Sequence, residues 1–291
     1  MIESTVAAQR LAVVRIVVFG VWFIRLATTP VASYALLPSE AVQPVGIMQL
    51  LPVATLLSSP VALELLRGAG LVFTAACVLG LRPWRLLGVT AFLLVLWHDG
   101  AMKATQAYVN HGQALAMFAT LMLAVSPAAD AFSVMTNRVS AARSKAYAGG
   151  LLACALFATT SYTFVGLRRI IYGGWSVFTD GTIERWVEAR SLEYAAYDFR
   201  LGAELLQVRG AGAVLVLGML LATVAEAGAV LILLWRRLQI PWLVAIVGFH
   251  VSTLLLMNIF FWENVAILVA LFATPEFLER RLREPDAALT V

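Results

Sequence analysis

Charge is what this sequence has least of. Asp, Glu, Lys and Arg make up 13% of its 291 residues, while hydrophobic residues make up 61%, against about 25% and roughly 45–50% in soluble domains. That balance excludes a soluble globular fold and indicates an integral membrane protein. Lysine is nearly missing: of 21 basic residues only Lys103 and Lys145 are lysines, so few amines are present to act as a base. The two cysteines, Cys77 and Cys154, sit in apolar runs without CxxC spacing or a neighbouring His or acid. Dithiol redox chemistry needs two thiols close enough to bridge, and nothing here provides them. Three histidines without HxxxH or HExxH spacing give no reason to expect a metal. A GxSxG elbow, a Gly-rich phosphate loop and a convincing carboxylate pair are also lacking. The formal charge of +4 forms no basic stripe. The arginines fall at the ends of apolar blocks, so membrane lipids are expected partners and nucleic acid is not.

Seven apolar blocks remain: Leu11 to Leu26, Gly68 to Leu81, Trp84 to Trp97, His111 to Val125, Tyr147 to Leu167, Ala211 to Trp235 and Ile240 to Phe272. Most are near the length of one helical span, for which roughly 20 residues are needed. The last, at 33 residues, is either strongly tilted or broken near "NIFFWEN". The expectation is therefore an all-α polytopic helix bundle of seven or eight transmembrane helices, forming a single membrane domain over residues 1–291. Arg15 and Arg25 interrupt the first block and no A-x-A site follows, so it reads as a retained span rather than a signal peptide. The loops "LRPWR", "NRVSAARSK" and "RR" at Arg236 and Arg237 carry uncompensated positive charge, which assigns them, and the N-terminus, to the cytoplasmic side of a cell membrane. The outer segments are then 30–60, His98 to Asn110 and 168–210, and a charged tail occupies 276–291. Five of the ten prolines fall between Pro30 and Pro60, which predicts short bent pieces there. Within the other long outer segment, Ile183, Val187, Tyr194, Tyr197, Leu201 and Leu205 share one helical face, the pattern of an interfacial amphipathic helix.

An ionisable side chain in a span costs roughly 2.5–3.5 kcal/mol at the bilayer centre on insertion scales. Four such residues need a reason: His111, Glu226, His250 and Glu263. Glu226 has no charged partner within its own block, so its partner must come from another helix. At helical spacing His250 shares a face with Thr253, Met257 and Asn264. A simple expectation is that His111, Glu226 and His250 converge on one partly hydrated pocket that opens outward. The rival expectation is that these groups are interhelical glue, worth on average about 0.6 kcal/mol per pair.

The order "RIVVFG" in the first span, "NHG" opening the fourth, "YTFVGLRRIIYGGWSVFTDG" ending the fifth, an acid in the sixth and "FH" followed by "MN" and "F" in the last resembles the horizontally transferred transmembrane domain (HTTM) family. That family includes the membrane part of vitamin K-dependent gamma-carboxylase, and the likeness runs over nearly the whole chain. It implies chemistry at Asn110 and His111, with His250 matching a later histidine. It also implies a lipid or substrate site beside Arg168, Arg169, Glu226 and Trp175, and a quinone or other polyprenyl lipid as cofactor. The family's base lysine falls here on Arg168 or Arg169, and a guanidinium keeps its proton and cannot take one from a hydroquinone. Carboxylation by that route is not expected, and Lys103, beside His98, is a candidate substitute. The carboxylase's large lumenal portion has no counterpart before Val291. A secreted peptide precursor would thus be recognised with a soluble accessory protein, as the resemblance to bacterial toxin-peptide maturation proteins implies. The alternative is a non-catalytic membrane protein that holds or assembles a partner; a transporter lacks the inverted repeat.

Overall fold

A computed structural model describes residues 2–44, 49, 57–106, 112–135, 137–193 and 201–273. The described residues are helical and contain no strand. The helices are α1 (Ile2–Thr28), α2 (Pro60–Leu79), α3 (Trp84–Gln106), α4 (Ala114–Val125), α5 (Ser144–Arg168), α6 (Ser176–Thr179), α7 (Thr182–Glu193), α8 (Leu201–Leu205), α9 (Ala211–Ala227), α10 (Gln239–Met257) and α11 (Trp262–Phe272). By length and composition, five stretches can cross a membrane: Ser4–Thr28, Pro60–Leu79, Trp84–Thr105, Ala141–Gly173 and Arg236–Met257. Helices α4, α9 and α11 are equally apolar but shorter.

The described residues form two compact units, one up to residue 154 and one over residues 155–273. In the first, α1 packs on α2 and α4, and α3 packs on both of those. Local signals set these helices. Ser59 caps α2 by accepting a hydrogen bond from the Ala62 N–H, and Pro60 follows at the first helical position, where its missing N–H costs nothing. Gly80 ends the helix in the left-handed region at φ 70°, the usual glycine stop. The proline-rich segment after α1 begins as two short 3₁₀ turns, Val31–Leu36 and Ser39–Ala41.

Arg15 is the largest electrostatic feature of this unit. It is fully buried in the middle of α1, and its partners are carbonyl oxygens rather than an acid. Nη1 donates to Ala128 at 3.0 Å and Ala131 at 3.2 Å, while Nη2 donates to Phe132 at 2.8 Å and Val78 at 3.3 Å. One guanidinium thereby ties α1 to the end of α2 and to the turn after α4. Asp130 of the same turn is buried and accepts from Arg82, Arg143 and the Tyr147 hydroxyl. Gly80 is required twice over, because a Cβ there would sit 2.6 Å from Arg15 Nη1.

In the second unit the 33-residue final block is broken. Helix α10 ends at Asn258 in the left-handed region, and α11 restarts at Trp262. The sixth block is not one α-helix to Trp235: α9 stops at Ala227 and Ala229–Leu233 winds as 3₁₀. The fifth runs on past Leu167, through α5 and a π-helical turn at Arg169–Gly173. Helix α7 turns Ile183 and Val187 into a cluster with Phe178 and Leu215, so this part of the apolar stripe faces protein. Leu201 breaks the stripe by being exposed, and Tyr194 and Tyr197 lie outside the described residues. Gly202 admits α10 closely, since a Cβ would run into the Leu256 carbonyl.

Arg15→Ala would leave buried carbonyls bare, at about 1–3 kcal/mol each. We expect a large fall in thermal stability by fluorescence-detected size exclusion, with Arg15→Lys recovering only part of it, because an ammonium lacks the planar fork.

Candidate functional site

Buried polar groups of the second unit gather where α5, α9, α10 and α11 present them. The π turn that follows Arg168 adds a residue to the helical repeat and changes the direction of the side chains after it. Arg169 turns inward and Arg168 stays exposed, its guanidinium 6.0 Å from the centre of the Tyr172 ring. Arg169 Nη1 donates to Glu226 Oε2 at 2.5 Å and to Thr223 Oγ1 at 2.8 Å. The carboxylate is nearly inaccessible, at 3% side-chain exposure, and the guanidinium is 16% exposed. Glu226 is thus met by a cation from another helix. The approach depends on Gly166, where a Cβ would collide with the backbone of Glu226 and Ala227.

Next to this pair on α5 is Tyr162, whose hydroxyl lies 2.7 Å from His250 Nε2. Both residues are buried. The Tyr162 hydroxyl also interacts with the Asn264 side chain and feels the Glu226 charge. Trp242 packs edge-on to Tyr162 at 5.9 Å, and its indole N–H is held by the Ala225 carbonyl. Phe249 and Phe261 stand 5.5 and 5.7 Å from the His250 ring. His250 Nδ1 has no hydrogen-bond partner among the described residues. A buried imidazole with one nitrogen engaged and the other bare can bind or move a proton at the bare atom.

The remaining sequence-predicted residues are placed as follows. Trp175 is 69% exposed and leans on Phe178, away from the buried groups. Glu263 is buried in the first turn of α11, where the helix dipole favours an acid. Asn110 and His111 lie outside the described residues, so a meeting of His111 with Glu226 and His250 is not part of the geometry above. The connection expected from His98 to Asn110 is instead helical to Gln106. Lys103 is accordingly no loop lysine: its ammonium pairs with Asp99 at 2.6 Å, with the two side chains 14% and 7% exposed.

The Asp99 and Lys103 pair belongs to a polar layer in the first unit that the block boundaries concealed. His98 and Asp99 are buried, and His98 Nε2, Asp99 Oδ1, Trp97 Nε1 and Gln113 Oε1 lack partners among the described residues. The available signal was the i, i+4 spacing of Asp99 and Lys103, acid first, which is the favourable order on a helix. Likewise Thr223 precedes Glu226 by three residues and so shares its face. Nearby, burial raises the Tyr34 phenol above its ordinary value, and the Arg25 guanidinium partly offsets that. Among the described residues no three His, Cys, Asp or Glu side chains are placed to hold a metal ion.

Breaking the buried ion pair from one side strands the other charge, at a cost of about 3–5 kcal/mol. We expect Arg169→Met alone to destabilise strongly and Arg169→Met with Glu226→Leu to recover much of the loss in a double-mutant cycle of melting temperatures. Independent, additive losses would mean that the two groups do not act as a pair.

No family model, curated protein or solved structure matches the chain.

Proposed function

We propose that the chain is a multi-pass membrane protein of the HTTM type. In this reading it holds a quinone or other polyprenyl lipid beside a buried histidine and serves the modification or maturation of a secreted peptide. The observation that carries the reading is His250, fixed by Tyr162 through Nε2, walled by aromatic rings and left with a bare Nδ1. A quinone oxygen needs a hydrogen-bonding group and its ring needs apolar or aromatic walls, so these residues fit such a lipid. Bound there, the lipid would supply redox chemistry. His250 would hold its polar end and carry a proton at Nδ1, Tyr162 would fix the imidazole, and Asn110 and His111 would act at the peptide. Arg169 is excluded as a base by its guanidinium chemistry and by its pairing with Glu226. The reading is therefore not lysine-based gamma-carboxylation.

Five long and three shorter apolar helices support the seven or eight crossings of this reading, and the basic loops support a cytoplasmic N-terminus. Arg168 and Arg169 then stand at the outer end of their span, with the exposed Ile171, Tyr172 and Trp175 at the interface, where aromatic rings are favoured. A secreted precursor and a soluble accessory protein are the partners this arrangement calls for. The second reading, a non-catalytic membrane protein that assembles a partner, draws on Arg169 itself. Its Nη1 is taken by Glu226 and Thr223, which is the behaviour of glue.

Gently purified protein should release a quinone or polyprenyl lipid on mass spectrometry. His250→Gln should reduce that yield about tenfold, the worth of one hydrogen bond of roughly 1.4 kcal/mol, without loss of folded protein. His111→Ala should abolish the peptide product in cells while lipid is retained. Wild-type protein free of such lipid, with product unaffected by either change, would leave the assembly reading.

A further inference from the structure

The Arg15 and Asp130 region of the first unit holds a groove unrelated to the histidine site. It has a volume of about 1030 Å³ and lies where α3 begins, α4 ends and α5 begins. Its rim carries Arg82, Arg85 and Arg143, and Asp130 is the one acid lining it. Asp130 is shared between Arg82 at 3.2 Å and Arg143 at 2.9 Å, so three guanidiniums face one carboxylate and two positive charges stay uncompensated. Arg15 adds another behind the wall, 6.0 Å from the centre of the Trp84 ring and answered only by carbonyls. Arg85 and Arg143 are exposed, with donors free to face outward. Below the rim the wall is the small-residue side of α5, Ala146, Gly149, Gly150 and Ala153. Gly149 opens to empty space: a Cβ there would meet nothing within 4 Å, whereas one on Gly150 would press on Leu11 and Ser126 at 3.1 Å.

We propose that this groove is a binding site for an anionic phospholipid. Its phosphate sits between Arg85 and Arg143, and an acyl chain runs along Gly149 and Ala153. The chemistry is that of arginine forks on phosphate oxygens at a helix-end rim, joined to an apolar channel that only a lipid tail would fill. In the orientation proposed above the lipid belongs to the cytoplasmic leaflet, but the groove is defined without it.

The test uses the full chain in a neutral detergent, titrated with dioleoyl phosphatidylglycerol, dioleoyl phosphatidylcholine or glycerol 3-phosphate, with bound molecules counted by native mass spectrometry. Phosphatidylglycerol should be retained over phosphatidylcholine. Arg85→Gln should weaken it about fivefold, the worth of one basic residue at a membrane surface, and Arg85→Lys should restore most of that. Gly149→Leu should exclude the lipid while leaving the melting temperature in lipid-free detergent unchanged. Equal retention of the two lipids, or an Arg85→Gln protein that binds as the parent does, would overturn the proposal. So would glycerol 3-phosphate displacing the lipid at equal concentration, or a Gly149→Leu protein with undiminished binding, because each removes the acyl chain from the site.

Discussion

A charge held inside an apolar bundle must be answered from within the protein, and this molecule answers it in two different ways. Arg15 is surrounded by carbonyl oxygens of the turn after α4 and the last turn of α2, buried groups that would otherwise need a partner. The two terminal nitrogens of the cation and these carbonyls satisfy each other, while Nε has no partner among the described residues. Arg169 instead meets a carboxylate and a hydroxyl. That arrangement cancels charge and ties α5 to α9, but it uses none of the neighbouring imidazole. The first solution builds a scaffold, and the second stands beside a site.

Both solutions rely on backbone detail at a few positions. Glycine at 166 lets two helices approach until a side chain from one can reach an acid on the other, and glycine at 80 leaves room for the Arg15 guanidinium. The π turn at Arg169–Gly173 separates two adjacent arginines into one that faces inward and one that faces out. In a regular α-helix neighbouring residues also differ in direction, but the added residue shifts the whole following turn, and with it the exposed Ile171, Tyr172 and Trp175.

Composition and block length made the helical membrane class legible, and the Pro60 and Gly80 signals marked the ends of α2 because they act through local sterics. The break after Met257 was legible as one of two alternatives, since 33 apolar residues exceed one crossing. The need of Glu226 for a cation from another helix was legible as well, because a lone buried carboxylate is too costly to leave unpaired. What escaped was whatever depended on the third dimension. The apolar block ends at Trp97, so His98 reads as the start of a connection, yet Asp99 and Lys103 neutralise each other one turn apart within the continuing helix. Tyr162 lay in plain view in "SYTFVGL" but could not be linked to His250 from spacing, since 88 residues separate them. The 3₁₀ winding after Ala227 follows Gly228 in a run otherwise uniformly apolar, and one glycine is a weak breaker without tertiary support.

The difference between glue and a functional centre can be argued from what is left over. Interhelical hydrogen bonding that serves stability alone tends toward completeness, because each bare buried polar atom costs about 1–3 kcal/mol. The contact of Arg169 with Thr223 and Glu226 leaves no fully buried side-chain polar atom of the three bare, whereas the carbonyl ring around Arg15 leaves its Nε without a partner among the described residues. Other buried side-chain atoms without partners among the described residues include His250 Nδ1 and Asn264 Oδ1 in one unit, and His98 Nε2, Asp99 Oδ1, Trp97 Nε1 and Gln113 Oε1 in the other. Two of these groups are fixed by a polar contact at another atom, His250 through Tyr162 and Asp99 through Lys103. A group immobilised at one atom and bare at another is free to bind there, and in the reading proposed above the aromatic rings around His250 suit a flat molecule with a polar end.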